Sequence, residues 1–261
     1  MSVHSTAIIN GSVKLDPSVS VGPYAVIEGD VEIGANTTIG PHAVITGYTK
    51  IGQNNEIGAG VVLGQLPQDK KYEPGCRSYL VIGHDNVFRE YVTVHRGTET
   101  ETMTVIGNHN YFMVSSHVAH NCVVGNGVVF CNGAIAAGHC HIHDQAFISG
   151  YVLLHQFVHV GRLAMFSGAA RVSMDVPPFM MACERNEIWS INFVGLERAG
   201  IEKEQIQQIK KMYRIFYRSG LNVKSALEKI EETGFSSPLI HEFVDFVKQS
   251  PNGVLPHRKK T

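Results

Sequence analysis

From Ile9 onward an aliphatic side chain returns every sixth residue: Leu15, Val21, Ile27, Ile33, Ile39, Ile45, Ile51, Ile57 and Leu63. The beat breaks, resumes at Ile82, Phe88 and Val94, and breaks again. It then runs through Ile106, Phe112, Val118, Val124, Phe130, Ala136, Ile142, Ile148, Leu154, Val160, Phe166 and Val172. An amphipathic helix repeats its apolar residues at three and four, an ordinary strand at two. A period of six, with glycine after the aliphatic residue at Gly22, Gly34, Gly40, Gly52, Gly58 and Gly64, predicts a parallel β-helix of short strands whose corners the glycines relieve. The aliphatic positions fill its interior. Function is then expected where the pattern breaks, because loops expelled from a solenoid are where binding residues lie.

Two stretches break it: "QLPQDKKYEPGCRSY" (65 to 79) and "GTETETM" (97 to 103). The hexads stop after "DVPPF" (175 to 179), and from about Gly200 the period becomes helical, with Ile206, Ile209, Tyr213 and Phe216 on one face and Lys210, Lys211, Arg214 and Arg218 interspersed. Two more helices are predicted at about 222 to 233 and 237 to 249, separated by Gly234 and a Ser236-Ser237-Pro238 turn. The division expected is a mainly β domain over 1–190 and a helical C-terminal domain over 191–261.

Composition changes this picture little. The net charge of −1 gives no reason to expect nucleic acid or a membrane surface. The opening "MSVHSTAIIN" lacks the basic start and apolar stretch of a signal peptide, and no later run approaches bilayer length, so no stable membrane insertion and a cytoplasmic location are expected. Five cysteines, Cys76, Cys122, Cys131, Cys140 and Cys183, match neither a disulfide framework nor a Cys-x-x-Cys metal site, and read as reduced, packed thiols.

The hexads resemble those of the left-handed β-helix acyltransferases, in which three hexads make one triangular coil. That resemblance implies roughly eighteen residues per coil, with coils about 4.8 Å apart. Residues eighteen apart then stack. The clustered histidines His117, His120, His139, His141, His143, His155 and His159 raise a metal site first, but zinc needs three or four converging ligands. Eighteen residues from His120 lie Gly138 on one side and Thr102 on the other, neither of them a histidine. Acyl transfer uses the same register more economically. His120 can take a proton from an attacking hydroxyl, worth about 10²–10⁴-fold, and the backbone N–H of Gly138 can serve the carbonyl oxygen, worth about 10²–10³-fold.

The motifs "PQDKKY" (67 to 72), "VHRGT" (94 to 98), "SHVAHNC" (116 to 122), "AGH" (137 to 139), "LHQF" (154 to 157), "DVPP" (175 to 178) and "RSG" (218 to 220) resemble, in order and in phase with the hexads, the UDP-N-acetylglucosamine O-acyltransferases. The resemblance implies a homotrimer that moves a 3-hydroxyacyl chain from acyl carrier protein to the sugar 3-hydroxyl, the first step of lipid A synthesis, with no cofactor beyond the carrier's phosphopantetheine. It implies His120 as general base, Gly138 as oxyanion donor and the residue after the histidine, here Asn121, as its partner. It further implies Asp69 and Lys71 reaching the nucleotide sugar across a subunit boundary. His95, His117, His139, His155, Gln156, Asn192 and Arg198 would be further substrate contacts, and Met165 and Gly168 would bound the acyl tail. The chain departs from the family in having Asn121 for aspartate, and Val194 and Ala199 where many members carry glutamate and arginine. Three alternatives stay open: transfer to a 3-amino UDP sugar, N-acetyl transfer from acetyl-CoA to a nucleotide sugar, or a weakly active protein that only binds these partners.

Overall fold

A computed structural model describes residues 2–73 and 75–258. Its β part is a triangular prism of three sheets, with eleven, nine and eight strands. The eleven-strand face starts at Ser2–Val3, the nine-strand face at Ile8–Ile9 and the eight-strand face at Lys14–Leu15, and the chain visits them in that order on every coil. Stacked strands are parallel and, away from the insertions, eighteen residues apart, as in His117↔Ile135 and Val118↔Ala136. The architecture is mainly β, a left-handed parallel β-helix followed by helices.

The hexad residues point inward. Phe88, Phe112 and Phe130 are fully buried and stack with ring centroids 4.9 and 5.2 Å apart. A buried polar ladder runs beside them: Asn55 Oδ1 accepts from Asn86 N at 3.0 Å, Asn86 Oδ1 from Asn110 N at 2.9 Å, and Asn110 Oδ1 from Val128 N at 2.7 Å. Each amide satisfies a corner N–H that would otherwise be buried without an acceptor.

The glycines work differently from the expectation. Of the six that follow aliphatic residues, only Gly64 has a positive φ. The left-handed corners are held by other residues, among them Tyr24, His42, Asn121 and His139 at φ 57, 58, 60 and 62°. Gly34 and Gly40 are needed for close stacking instead, since an added Cβ would lie 2.8 Å from the backbone of Gly52 and Gly58 on the next coil.

Both predicted interruptions leave the prism at one edge, between the nine- and eight-strand faces: Val62–Gln65 passes through the first to Tyr79–Ile82, and Thr93–His95 through the second to Met103–Ile106. They stretch the coil from eighteen residues to 31 at Leu63↔Val94 and 24 at Val94↔Val118.

Beyond Asp175 the eleven-strand face gains two strands not anticipated from the hexads, Met180–Cys183 and, antiparallel to it, Glu187–Ile191. Helix α1 (Phe193–Arg198) was also missed, because six residues show no helical period. Helices α2 (Lys203–Arg218), α3 (Val223–Glu232) and α4 (Pro238–Gln249) follow, the last two capped by Asn222 and Ser237 as their sequences suggest. They dock on the prism end through a bidentate Arg162–Glu242 pair at 2.8 and 3.0 Å. Fully buried Asp175 receives N–H groups from His159 at 2.8 Å and Asn252 at 3.1 Å, tying the returning tail to the last coil. No described helix is long and apolar enough to cross a membrane. The five cysteines are unpaired, and buried Cys122 and Cys140 donate to Ala137 and His155 carbonyls at 3.1 and 3.2 Å.

Candidate active site

The site grows from corners stacked along the edge between the nine- and eight-strand faces. His120 is buried to 9 % exposure, and its Nδ1 lies 2.9 Å from Asn121 Oδ1. The same oxygen accepts from Thr98 N at 3.2 Å and Thr98 Oγ1 at 2.9 Å. A backbone N–H can only donate, so the Asn121 atom is its carbonyl oxygen, and His120 Nδ1 carries the proton. In the neutral ring, Nε2 then carries the lone pair. An added Cβ on Gly138 would fall 2.7 Å from that Nε2 and 2.4 Å from Cε1, so only glycine lets the backbone approach the ring. Among the described residues the Gly138 N–H has no protein acceptor, whereas its neighbour His139 donates to His120 O at 3.0 Å.

Other histidines close around this pair. His139 meets His120 edge-on at 5.2 Å and stacks on Phe157 at 4.7 Å. His95 meets His117 edge-on at 4.8 Å, and His117 Nδ1 lies 2.7 Å from Thr93 Oγ1. Burial, reinforced by His117 and His120, pushes His95 down to about 4. Burial also lowers His117 and His139, and for His139 the Asp69 and Glu99 carboxylates oppose it. The edge therefore holds several imidazoles in the neutral form. Among the described residues no three His, Cys, Asp or Glu side chains converge to hold a metal ion.

The second insertion lengthens the coil below His120 to 24 residues at Val94↔Val118, so counting by eighteen does not carry across it. The first insertion leaves from the same edge of the prism as the histidines. Asp69 is fixed by a turn in which Lys71 N donates to Oδ1 at 2.8 Å. The Lys71 side chain is exposed.

His155 and Gln156 occupy the next corner up the same edge and are exposed; His155 also lines a hollow of about 430 Å³ with Leu153, Arg171 and Arg185. The remaining candidates lie elsewhere. Met165, Asn192 and Arg198 line a groove of about 610 Å³ on the eleven-strand face, with Phe147, Phe193 and Val194. Asn192 is buried and caps α1, donating to Leu163 O at 2.9 Å and accepting from Gly195 N at 3.0 Å. Gly168 sits at the edge between the eleven- and nine-strand faces, where an added Cβ would meet only Gly150 O at 3.8 Å. One chain thus gathers His95, His117, His120, Asn121, Gly138 and His139 along one edge, but not the groove residues. Thr98 and Arg96 both stand in the "VHRGT" motif, and their contacts with Asn121 and Tyr72 follow no eighteen-residue spacing.

The family model for UDP-N-acetylglucosamine O-acyltransferase, domain 2, matches residues 175–255, and that of the six-repeat bacterial transferase hexapeptide matches 12–47 and 30–65. An acyl-[acyl-carrier-protein]–UDP-N-acetylglucosamine O-acyltransferase of Anaeromyxobacter dehalogenans is 46% identical over 256 residues, 97% of this chain and 99% of that one. This chain belongs to that family. A Gloeothece citriformis member is 47% identical over 193 residues, covering 74% of this chain and 69% of its own. The solved UDP-N-acetylglucosamine acyltransferase of Francisella novicida superposes with a TM-score of 0.95 at 38% identity, over 98% of this chain and 95% of that one. It is as an acyltransferase of this family that the histidine edge is read below.

Proposed function

We propose that the protein transfers a 3-hydroxyacyl chain from acyl carrier protein to the 3-hydroxyl of UDP-N-acetylglucosamine, the first step of lipid A biosynthesis. The observation that carries the proposal is the juxtaposition of His120 Nε2, whose partner nitrogen is held by Asn121, with the open backbone of Gly138. The sugar 3-oxygen attacks the thioester carbonyl while Nε2 takes its proton, and the Gly138 N–H receives the developing oxyanion. Collapse breaks the C–S bond. The imidazolium then returns the proton to the departing thiolate, freeing the carrier's phosphopantetheine thiol. Asn121 and Thr98 hold the tautomer; Asp69, Lys71, His95, His117, His139, His155 and Gln156 bind the nucleotide sugar and pantetheine. A cytoplasmic location goes with this reading.

A homotrimer completes it. The eleven-strand face presents an apolar outward row in Val87, Tyr111, Val129, Phe147 and Met165. Covering this row with a neighbour's histidine edge would bring Met165, Asn192 and Arg198 of one chain to His120 of the next.

Asn121 favours a second acceptor. A neutral carbonyl fixes the His120 tautomer without stabilising imidazolium, which hampers a hydroxyl that must lose its proton during attack more than an amine that loses it afterwards. Mass spectrometry of products from 3-hydroxyacyl carrier proteins and acetyl-CoA, with UDP-N-acetylglucosamine and its 3-amino analogue, tests all the readings. A 3-O-acyl product supports the proposal; product only with the amine supports the second reading, product only from acetyl-CoA an N-acetyltransferase, and binding without product a non-catalytic protein.

A further inference from the structure

Arg96 is buried to 9 % exposure, and no carboxylate lies within ion-pair distance of it among the described residues. Such a cation is costly unless its N–H groups and charge find other partners. Three observations show where it goes. Its Nη2 donates to Tyr72 Oη at 3.2 Å. Its guanidinium lies 5.9 Å from the centre of the Tyr48 ring, a cation–π distance. And it lies across Gly47, where an added Cβ would come 2.0 Å from Nη1, so the glycine opens the slot. Arg77, at the far end of the same insertion, lies 5.2 Å from the same Tyr48 ring and 5.7 Å from Tyr79.

We propose that Arg96 is a positioning residue for the nucleotide sugar: by gripping Tyr72 it holds the 66–78 loop against the histidine edge and so fixes Asp69. The link is short. Tyr72 N donates to Asp69 O at 3.0 Å, and the intervening Lys71 N donates to the Asp69 carboxylate at 2.8 Å. Where the Tyr72 ring goes, the Asp69 turn goes. Arg96 also follows His95 directly, so one corner carries both a site histidine and the anchor for the loop. Arginine suits the role better than lysine, because a flat guanidinium offers several N–H groups while lying on an aromatic face.

The inference rests on the acyl-transfer reading above, and its test separates the two. Tyr72→Phe removes one hydroxyl and leaves the packing in place. Steady-state kinetics with UDP-N-acetylglucosamine and 3-hydroxyacyl carrier protein are expected to show KM for the sugar nucleotide raised about tenfold, the loss of one hydrogen bond to a charged group. kcat and KM for the acyl carrier protein should stay within about twofold. Amide hydrogen exchange of the 66–78 peptide is expected to speed up in the same variant, while the 116–122 peptide stays unchanged. Arg96→Met should act in the same direction, and the double variant should be no worse than the single ones, since both cut one contact. Arg96→Lys should recover only part of the affinity. If Arg96→Met fails to fold, Tyr72→Phe alone decides. Unchanged KM, with or without faster exchange, would overturn the proposal, as would a fall in kcat alone. No turnover by the wild-type protein would instead sink the acyl-transfer reading, leaving exchange to decide whether Arg96 and Tyr72 hold the loop.

Discussion

Two edges of the prism share one backbone and differ in almost everything else. Where the nine- and eight-strand faces meet, the third corner residue is Asn121, His139 or Phe157, at φ 60, 62 and 68°. Where the eleven- and nine-strand faces meet, the same position holds Tyr24, Tyr91 or Tyr151, at φ 57, 60 and 58°. The tyrosines are 58, 65 and 71 % exposed, against 9 % for His120. Even the glycines correspond: Gly138 on the histidine edge and Gly150 on the tyrosine edge each take the second corner position. A Cβ would press on the His120 ring at 2.4 Å in the first case and meet only Asn132 O at 3.5 Å in the second. The corner does not make a site. The insertions do, by covering one edge so that its side chains are desolvated and aimed at one another.

The sharpest way to break this contrast is at His120. His120→Ala should leave the protein folded and lower kcat by about 10²–10⁴-fold, measured at saturating donor and acceptor; near-normal turnover would remove the histidine edge from the chemistry. Next come the paired glycines. Gly138→Ala should cost about 10²-fold in kcat through displacement of the imidazole, while Gly150→Ala should cost almost nothing, and equal effects from the two would refute the distinction.

The edges should also part under acid. His95 is held down to about 4 by burial, so between that value and the ordinary histidine value of 6.5 the unfolded chain binds a proton that the folded one refuses. Its contribution is intact above about pH 6.5 and is lost as the pH falls toward 4, by up to about 3 kcal/mol. Urea unfolding should therefore show stability falling over that window, and falling less in His95→Asn; an equal slope in both proteins would place the acid sensitivity elsewhere.

A smaller effect tests whether the tyrosine edge is idle. Gly168→Met fills open space there and, if this position bounds the acyl groove, should shift donor preference by a few methylenes, each worth about 0.8 kcal/mol. An unchanged donor profile would leave that edge without a part in acyl selection. The smallest effect is expected far from both edges. Lys211, Arg214 and Arg218 are exposed along α2, and reversing Lys211 and Arg214 should raise KM for acyl carrier protein a few-fold at low salt and less at high salt. A salt-independent KM would make them an ordinary solvated face.

The sequence determined the scaffold because its code is local. Each hexad meets the same neighbours, so an aliphatic residue every six positions suffices to specify coil after coil, and the interruptions at 65–79 and 97–103 were visible simply as missed beats. His120 and Gly138 were legible for the same reason, since no insertion falls between them and eighteen residues separate coils. The tertiary structure alone decided what lies on the other side of His120, because each insertion shifts the register by a length that depends on how much chain is expelled. That shift brought Thr98 to Asn121. It also decided that Arg96 meets the Tyr72 hydroxyl of the first insertion, and that Asn192 caps α1. Such contacts join residues with no fixed spacing, through side chains whose directions only packing sets, and no periodicity in the sequence encodes them.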